Sequence, residues 1–531
     1  MIILSCILLT ALIAGLTWWM TRGRTAGFEG YFLAGRNLGM VSIAASLLLT
    51  NISTEQIVGL NGAAYKDGLC VMVWEVLSCL SIVVFALYFL PKYLRAGYAT
   101  VPQFLEARFG KTLSLTVAGV FIVAYALIAM PIILYTGATG LNSILDLASL
   151  TGIQDPTANL WIMVAAIGAT GAAYTLLGGM RAIAISDTIY GGLLLVGCLA
   201  IPIFALVHIQ GGPDVGAALA TVRRENPEHF KSLGGPETSV PWHTVMSGVF
   251  LLTFFYWTTN QQIIQRAFAG RSLREAQKGA LLTAGIKLAM PLAVVLPGIL
   301  AWHLFKNDPN AATQGDASYG MLVRRVLPAP LAGVFAAAII GAILSSFNGA
   351  LNSAVTLFGV DLCGGQAHTE SSDRRRVLLG KAFGLVIAVV SIALAPWLAK
   401  AGGVFNYLQK MNGIYFIPIL VVVLAGWLIP KATGRTALPV MVASFALMVA
   451  VTLTPLGDAL AARGVHGFHA VGLVFALSMV LMIALSQCFP GQPPAPAAPA
   501  VALDLSPWKH AKWVSAVVIA VLAGMYAVFM R

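Results

Sequence analysis

Long apolar segments recur along almost the whole of this 531-residue chain, and they limit what it can fold into. Fourteen of them approach or exceed the length of about 20 residues that a helix needs to cross a bilayer. These segments are 2–20, 36–60, 70–95, 114–146, 158–177, 181–208, 240–260, 277–305, 328–360, 377–400, 403–429, 435–456, 467–488 and 509–529. Since 59% of the residues are hydrophobic and only 10% are charged, a soluble fold is excluded. We predict an all-α polytopic membrane protein with about 14 transmembrane helices.

Charged residues lie mainly in the short loops between the apolar segments. In a soluble protein the net charge of +12 would suggest a nucleic-acid partner. Here most Lys and Arg residues, including Arg181 and Arg266, fall in alternate loops, which indicates orientation in a bilayer. Assigning these richer loops to the cytoplasm places both termini outside. We expect a lipid bilayer around the protein, no nucleic-acid partner and no obligate protein partner.

Motifs for covalent chemistry are lacking in the sequence. The six cysteines are scattered, without the spacing of a disulfide framework or a zinc site. No nucleophile-elbow, zinc-hydrolase, nucleotide-binding or kinase motif occurs. We therefore expect a protein that is not an enzyme, needs no cofactor and draws its energy from an ion gradient. The first segment is interpreted as a retained anchor, and the Pro/Ala-rich stretch 490–500 as an extended linker.

Polar residues interrupt the second apolar segment at TNISTEQIVG, residues 50–59. Asn, Ser and Thr side chains compete with the helical backbone for hydrogen bonds, so we predict that the helix unwinds here. Unwound backbone inside a membrane is tolerated where it lines protein or a water-filled cavity, and its free carbonyls can bind a cation. The alternative is polar packing between helices, but Glu55 and Gln56 favour a binding site.

Two ionisable residues stand alone within apolar segments. Glu75 lies in VMVWEVLSC, with Ser78 three residues later on the same helix face. Lys287 lies in TAGIKLAMPLAVVLPG and is the most isolated basic residue. Buried charges need a partner or water, so each contacts either a substrate or a structural partner. For Glu75 that partner would be a lysine, whereas Lys287 would pair with a carboxylate or extend its side chain to the membrane interface.

Three further polar features have two interpretations each. The adjacent Ser345 and Ser346 either allow close helix packing or, beside a broken helix, supply oxygen ligands to a hard cation. Asp187 either pairs with Arg181 or stands on an ion path. The aromatic residues of FFYWTTNQQIIQR, 254–266, either form a gate or lie at the membrane interface.

Four long motifs occur in order along the chain: YFLAGRNLG, ASLLLTNISTEQIVGLNGAAY, GAAYTLLGGMRA and QRAFAGRSLREAQKGALL. They resemble the solute:sodium symporter family, and within it the bacterial sodium/sugar (galactose-type) branch related to the sodium/glucose cotransporters. The likeness runs from about residue 29 to about residue 430. It implies sodium-coupled import of a hexose such as galactose or glucose by alternating access, in a bacterial inner (plasma) membrane. The alternative is the same fold carrying sialic acid, an amino acid or an organic acid.

The resemblance also implies a leucine-transporter-type core of two inverted five-helix repeats. Residues 36–208 would form the first repeat and residues 209–429 the second. Residues 1–35 would add an N-terminal helix and loop, and residues 430–531 three C-terminal helices. The break at TNISTEQ would then face the substrate at mid-membrane.

Site residues carry over from the family by position. The coupling sodium would bind the main-chain oxygens of Leu49, Ile52 and Ala342 and the hydroxyls of Ser345 and Ser346, with Asp187 on its exit path. A small neutral sugar would meet Gln56, Glu75, Ser78, Lys287, Gln409, Asn51 and Tyr256. Leu60, Trp74 and Phe405 would close the site from outside, and Tyr256, backed by Trp257, from inside.

Two features depart from the family pattern. Thr253 stands where the sugar branch often has Asn one turn before the gate tyrosine, so selectivity for sugar hydroxyls would differ. Phe347, Asn348 and Gly349 follow the serine pair, where relatives with a second sodium carry further serines. One sodium per cycle is therefore expected.

Overall fold

The computed structural model describes residues 2–21, 34–145, 151–308, 315–363, 370–400, 404–491 and 503–529. Across these residues the regular structure is helical, apart from isolated β-bridges. Ten of the described helices are long and apolar enough to cross a membrane. Two shorter apolar helices, Leu4–Met20 and Met40–Asn51, accompany them. The predicted class of an all-α polytopic membrane protein is confirmed.

The helices are numbered here in chain order. They are α1 (Ile2–Thr21), α2 (Met40–Asn51), α3 (Glu55–Arg95), α4 (Val101–Phe109), α5 (Lys111–Leu145), α6 (Pro156–Gln210), α7 (Val215–Glu225), α8 (Phe250–Thr258), α9 (Gln261–Phe268), α10 (Leu273–Phe305), α11 (Ser318–Val326), α12 (Ala329–Leu362), α13 (Glu370–Leu394), α14 (Val404–Leu428), α15 (Gly434–Leu453), α16 (Pro455–Ala462), α17 (Gly467–Cys488) and α18 (Ala511–Phe529).

Helix α6 contains two of the predicted apolar segments without a loop between them. Its 55 residues correspond to about 80 Å at the usual rise of a helix, far more than the ~30 Å hydrocarbon core. The helix bends at Gly179, where φ is 60° and ψ is −167°, a conformation that glycine adopts far more readily than other residues. This bend lies between the predicted segments 158–177 and 181–208.

The helix break predicted at TNISTEQ is present. Helix α2 ends at Asn51, and Ile52 has φ −80° and ψ 68°. The chain resumes as a π-helical turn at Glu55–Leu60, the start of α3. Regular helical hydrogen bonding is thus lost for about one turn in the interior of the bundle.

A second break, which the sequence analysis did not predict, separates α8 from α9. Thr259 (φ −133°) and Asn260 (ψ 117°) leave helical geometry, and α9 restarts at Gln261. The Asn260 side chain caps α9 by accepting a hydrogen bond from the backbone N–H of Gln262 at 3.2 Å. The sequence signal for this break is the polar run Thr258–Thr259–Asn260.

Helix α12 lies at the centre of the bundle, where it contacts α1, α2, α5 and α6. Its middle portion is almost continuously buried, and small residues there allow close approach of neighbouring helices. By contrast, only 11% of the most apolar 18-residue stretch of α18 is buried inside the protein, whereas 89% of the corresponding stretch of α3 is buried. The two breaks therefore belong to the interior, whereas the last helix lies at the periphery.

Candidate functional site

A cavity lies between the two helix breaks. Eight of the predicted substrate and gate residues line it, namely Asn51, Gln56, Trp74, Ser78, Tyr256, Trp257, Phe405 and Gln409. They come from the α2 end, from α3, from α8 and from α14, so the fold brings together residues that are far apart in the sequence. Glu75, Lys287 and Leu60, also predicted for this site, do not line the cavity.

Glu75 and Lys287 bind each other just behind the cavity wall. The Lys287 Nζ atom donates one hydrogen bond to Glu75 Oε2 and another to Asn51 Oδ1, each 2.5 Å long. Both charged side chains are 0% exposed. Of the alternatives raised for these residues, the structure shows the Glu–Lys ion pair. Through Asn51, which lines the cavity, the pair also fixes a residue of the first break.

Hydroxyl and carbonyl oxygens converge where the first break meets α12. The Ser346 hydroxyl donates to the carbonyl oxygen of Thr50 at 3.0 Å, and the hydroxyls of Thr50 and Ser345 are 3.5 Å apart. The predicted sodium ligands Leu49 and Ile52 flank this contact on the α2 side, and Ala342 lies one turn before the serines on α12. Neutral oxygen atoms of this kind suit a hard cation.

Metal ligands of the acidic or histidine type are not grouped here. Among the described residues, no set of three or more His, Cys, Asp or Glu side chains is arranged to hold a metal ion. The oxygen atoms that the structure places at the α2–α12 contact are those of hydroxyl groups and the main chain.

Asp187 forms an ion pair, but with Arg266 rather than with Arg181. Its Oδ2 atom lies 3.8 Å from Arg266 Nη2 and accepts a hydrogen bond of 2.5 Å from the Ser46 hydroxyl. Arg266 itself is 1% exposed and also donates to the carbonyl oxygens of Gln262 and Ser46. Counting Arg266 among the loop cations was therefore wrong, because α9 carries it into the bundle.

Two aromatic residues of the cavity wall, Trp74 and Phe405, contact each other. The rings of Trp74 and Phe405 meet edge to face with centroids 5.5 Å apart, and Trp74 also contacts Phe468 at 5.7 Å. Gly59 lies beneath them, where an added Cβ would be 3.1 Å from the Phe405 Cβ. Leu60 is fully buried beside this layer. Closure of the site from outside by Leu60, Trp74 and Phe405 stays a prediction.

Tyr256 and Trp257 lie on the α8 side of the same cavity. Their ring centroids are 5.5 Å apart, and the Trp257 ring centroid is 5.9 Å from Lys287 Nζ. Both residues line the cavity, so the aromatic pair at 256–257 faces the interior of the bundle rather than its membrane surface.

Four polar residues of the cavity wall were not predicted as site residues from the sequence. Asn260 and Gln262 belong to the second break, and Asn412 and Tyr415 to α14. Tyr125 of α5 donates a hydrogen bond of 2.6 Å to Asn260 Oδ1 and so holds the second break in place. The polar run NQQ, which follows the predicted gate residues, could have indicated Asn260 and Gln262 from the sequence. Asn412 and Tyr415 could not be found in this way, because only the packing of α14 places them at the cavity.

The chain is similar to known transporters over most of its length. The model of the sodium:solute symporter family matches residues 31–443. The uncharacterized symporter YidK of Escherichia coli K12 is 38% identical, and the match covers 99% of this chain and 90% of that protein. A sodium/glucose cotransporter of Vibrio parahaemolyticus is 31% identical, with 84% of each chain covered.

A solved structure shares the fold. The substrate-bound, outward-open state of a Na⁺-coupled sialic acid symporter superposes with a TM-score of 0.75 and covers 92% of this chain and 98% of that chain. The two sequences are 19% identical, so this likeness concerns the fold alone.

Proposed function

The chain belongs to the sodium:solute symporter family, and we propose that it imports a neutral sugar, a hexose such as galactose or glucose, together with sodium by alternating access. The chemistry of the cavity wall carries this proposal. The described residues that line the cavity offer amides, hydroxyls and aromatic rings, and Glu55 is the one acidic side chain among them. Amides and hydroxyls can donate to and accept from the hydroxyl groups of a sugar.

Within this proposal, the predicted substrate residues divide into two groups. Gln56, Ser78, Gln409 and Tyr256 contact the sugar directly, because they line the cavity. Glu75 and Lys287 act through Asn51, which Lys287 holds by a hydrogen bond. The resemblance of the chain to a sodium/glucose cotransporter supports a sugar as the solute.

An anionic solute such as a sialic acid fits this cavity less well. Its carboxylate would need a cation or several free N–H groups. Lys287, the nearest candidate, is engaged by Glu75 and Asn51. The one acidic side chain among the described residues of the cavity wall is Glu55, whose Oε2 atom has no hydrogen-bond partner, so these residues supply no positive charge to a carboxylate.

Coupling to sodium follows from the position of the proposed ion site. Sodium held by Leu49, Ile52, Ala342, Ser345 and Ser346 would join the first break to α12 and favour the arrangement in which Asn51 and Gln56 face the sugar. A ligand shifts a conformational equilibrium by binding one state more tightly than the other. Release of sodium past Asp187 would remove that preference and free the Tyr256 gate.

The architecture behind this cycle is a core of two inverted five-helix repeats within fourteen crossings. The first proposed crossing of each repeat is an interrupted helix, α2–α3 in 36–208 and α8–α9 in 209–429, which supports the symmetry. Helix α6 is long enough for two crossings, and α3 contains a 3₁₀ turn at Gly68–Met72 where a further crossing would begin. We place the protein in a bacterial inner membrane with both termini outside.

Uptake of labelled galactose into proteoliposomes would test the proposal. Sodium, potassium and proton gradients would be compared, with unlabelled hexoses and sialic acid as competitors. We expect accumulation against the galactose gradient only with inward sodium, blocked by hexoses and not by sialic acid.

A matched pair of variants assigns the transport to this cavity. Gln56→Ala removes an amide from the wall and should raise the half-saturating galactose concentration. Gln277→Ala removes a buried amide outside the cavity that bonds instead to Ala86 and Trp508, and it should leave that concentration unchanged. Sodium-dependent accumulation of an anionic competitor instead of galactose would support a sodium symporter and would contradict a sugar as its solute.

A further inference from the structure

A groove on the membrane-facing side of the bundle lies between α10 and the peripheral helix α18. Its volume is about 460 Å³, and its walls are chiefly apolar, including Leu282, Leu288, Val517 and Val521. Gly285 leaves the groove open at its middle, where a Cβ would meet no other atom within 4 Å. The groove is therefore shaped for a flexible apolar chain.

Basic residues are concentrated in two chain segments that contribute to this groove, and one of them, Lys278, lines it. The segments 271–278 and 504–512 lie side by side, because the Leu273 N–H donates to the Asp504 carbonyl oxygen at 2.9 Å and the Trp508 N–H donates to Gln277 Oε1 at 2.8 Å. Together the two segments carry what we call the basic cluster: Arg271, Arg274, Lys278, Lys509 and Lys512. Two carboxylates, Glu275 and Asp504, offset it only in part.

The basic cluster and the groove meet at two tryptophans. Trp508 and Trp513 line the groove together with Lys278, and Trp513 is 69% exposed. Tryptophan is enriched at the depth of lipid headgroups. An apolar groove that ends in tryptophans and cations matches the layout of a phospholipid, with its acyl chain in the membrane and its phosphate at the interface.

We propose that this groove binds an anionic phospholipid, with one acyl chain along α10 and α18 and the headgroup phosphate at the basic cluster. Lys278 distinguishes an anionic headgroup from a neutral one, because it both lines the groove and belongs to the basic cluster. It already contacts Glu275 at 3.2 Å, and its 29% exposed side chain leaves room for a phosphate as a second partner. Clustered Lys and Arg beside a membrane helix attract anionic lipids.

Native mass spectrometry of the purified full-length protein would test the site. Phosphatidylglycerol and phosphatidylcholine with identical acyl chains would be titrated. In a separate series, the melting temperature of the protein would be measured with inorganic phosphate alone. We expect one phosphatidylglycerol retained per protein, with roughly tenfold preference over phosphatidylcholine, and no effect of free phosphate on thermal stability. Equal retention of the two lipids, stabilisation by phosphate alone, or a second protein copy in place of lipid would overturn the proposal.

Two variants separate the headgroup from the chain. The triple variant Lys278→Gln/Lys509→Gln/Lys512→Gln should lose the preference for phosphatidylglycerol. Gly285→Leu should fill the groove and reduce retention of both lipids, and it remains informative if the triple variant does not fold. Lys431→Gln/Arg435→Gln changes two exposed cations at the start of α15, and this variant should bind lipid as the wild type does. Unchanged preference in the triple variant, or unchanged retention in Gly285→Leu, would contradict the proposal.

Discussion

The Ser346 hydroxyl donates a hydrogen bond of 3.0 Å to the carbonyl oxygen of Thr50, and this contact joins the centre of α12 to the end of α2. Thr50 is separated from the helix break by one residue, so its carbonyl and those of its neighbours are placed where helical hydrogen bonding stops. The contact marks the position at which an ion could link the two helices.

Substituting Ser346 by Ala should weaken coupling to sodium. The variant lacks one of the proposed oxygen ligands, and a contact between a hydroxyl and a charged group contributes about 1.5–3 kcal/mol. The sodium concentration for half-maximal uptake should therefore rise by about tenfold or more. The measurement is galactose uptake as a function of sodium concentration.

Ser391→Ala is the matched control for that experiment. Ser391 is fully buried, and its hydroxyl also donates to a backbone carbonyl, that of Ala126, at 2.9 Å. It belongs to α13, away from the break. We expect unchanged sodium dependence in this variant, and an unchanged sodium dependence in Ser346→Ala would remove the serine from the ion site.

The Glu75–Lys287 pair should be far more sensitive to loss of one partner than to loss of both. Glu75→Gln or Lys287→Met alone leaves a charge in a site with 0% exposure, which costs about 3–5 kcal/mol. The double variant leaves neither charge and should recover much of the thermal stability of the wild type. Melting temperatures in detergent for the four proteins provide the measurement.

Lys278→Met supplies the comparison on the same helix. Lys278 pairs with Glu275 in a partly exposed site, where an ion pair contributes at most about 1 kcal/mol. Lys278→Met should therefore lower the melting temperature much less than Lys287→Met. If the Glu75→Gln/Lys287→Met double variant were as unstable as the less stable of its two single variants, groups other than these two residues would compensate the buried charges.

Thr253→Asn should tighten binding of the proposed sugar. Thr253 lines the cavity, but its hydroxyl donates to the Phe250 carbonyl oxygen of its own helix at 3.0 Å. An amide at this position reaches further and adds a donor and an acceptor. One new hydrogen bond contributes about 0.5–1.5 kcal/mol, so the half-saturating galactose concentration should fall by about 2- to 10-fold.

Thr253→Val tests the same position in the other direction. It removes a hydroxyl that is already engaged within the helix, so galactose affinity should change little. A large loss of affinity in the valine variant would show that the threonine hydroxyl itself contacts the solute.

His466 should make the stability of the protein depend on pH. Its Nδ1 atom accepts a hydrogen bond from the Phe468 N–H at 3.2 Å and caps α17. Desolvation lowers the pKa of His466, and His243, His469 and Lys410 lower it further. The unfolded side chain therefore takes up a proton at a higher pH than the folded one. Stability is retained above the ordinary pKa of about 6.5 and is lost as the pH falls below it.

A variant that caps without titrating isolates this effect. Asn is among the strongest N-cap residues, so His466→Asn should keep the melting temperature of the wild type at pH 7.5. Between pH 7 and pH 5 its melting temperature should fall less steeply. Parallel pH profiles for the two proteins would exclude His466 as the titrating group.

The two helix breaks show how far the sequence determines the site. Asn51, Ser53 and Thr54 lie inside an apolar segment with apolar residues on both sides, so their competition with the helix backbone is visible from the sequence. The same residue types at 258–260 come at the end of the predicted segment 240–260, where a loop explains them equally well. Composition alone does not distinguish a break within a helix from the end of a helix.

Contacts between distant residues were the part that the sequence could not supply. Asp187 has Arg181 nearby in the chain, but the bend at Gly179 and the return of α9 into the bundle bring Arg266 to it instead. Likewise, Lys287 and Glu75 each need a partner on energetic grounds, and only the packing of α3 against α10 shows that each satisfies the other.

The internal neutrality of the Glu75–Lys287 pair has a consequence for the energy available to the transporter. With a neutral sugar and no net charge on this ion pair, the proposed single sodium is the net charge that crosses in each cycle. The membrane voltage then adds to the sodium gradient, at about 2.3 kcal/mol per 100 mV for one charge. An electrically polarised vesicle should therefore concentrate the sugar about 50-fold from voltage alone at 100 mV, even with equal sodium on both sides.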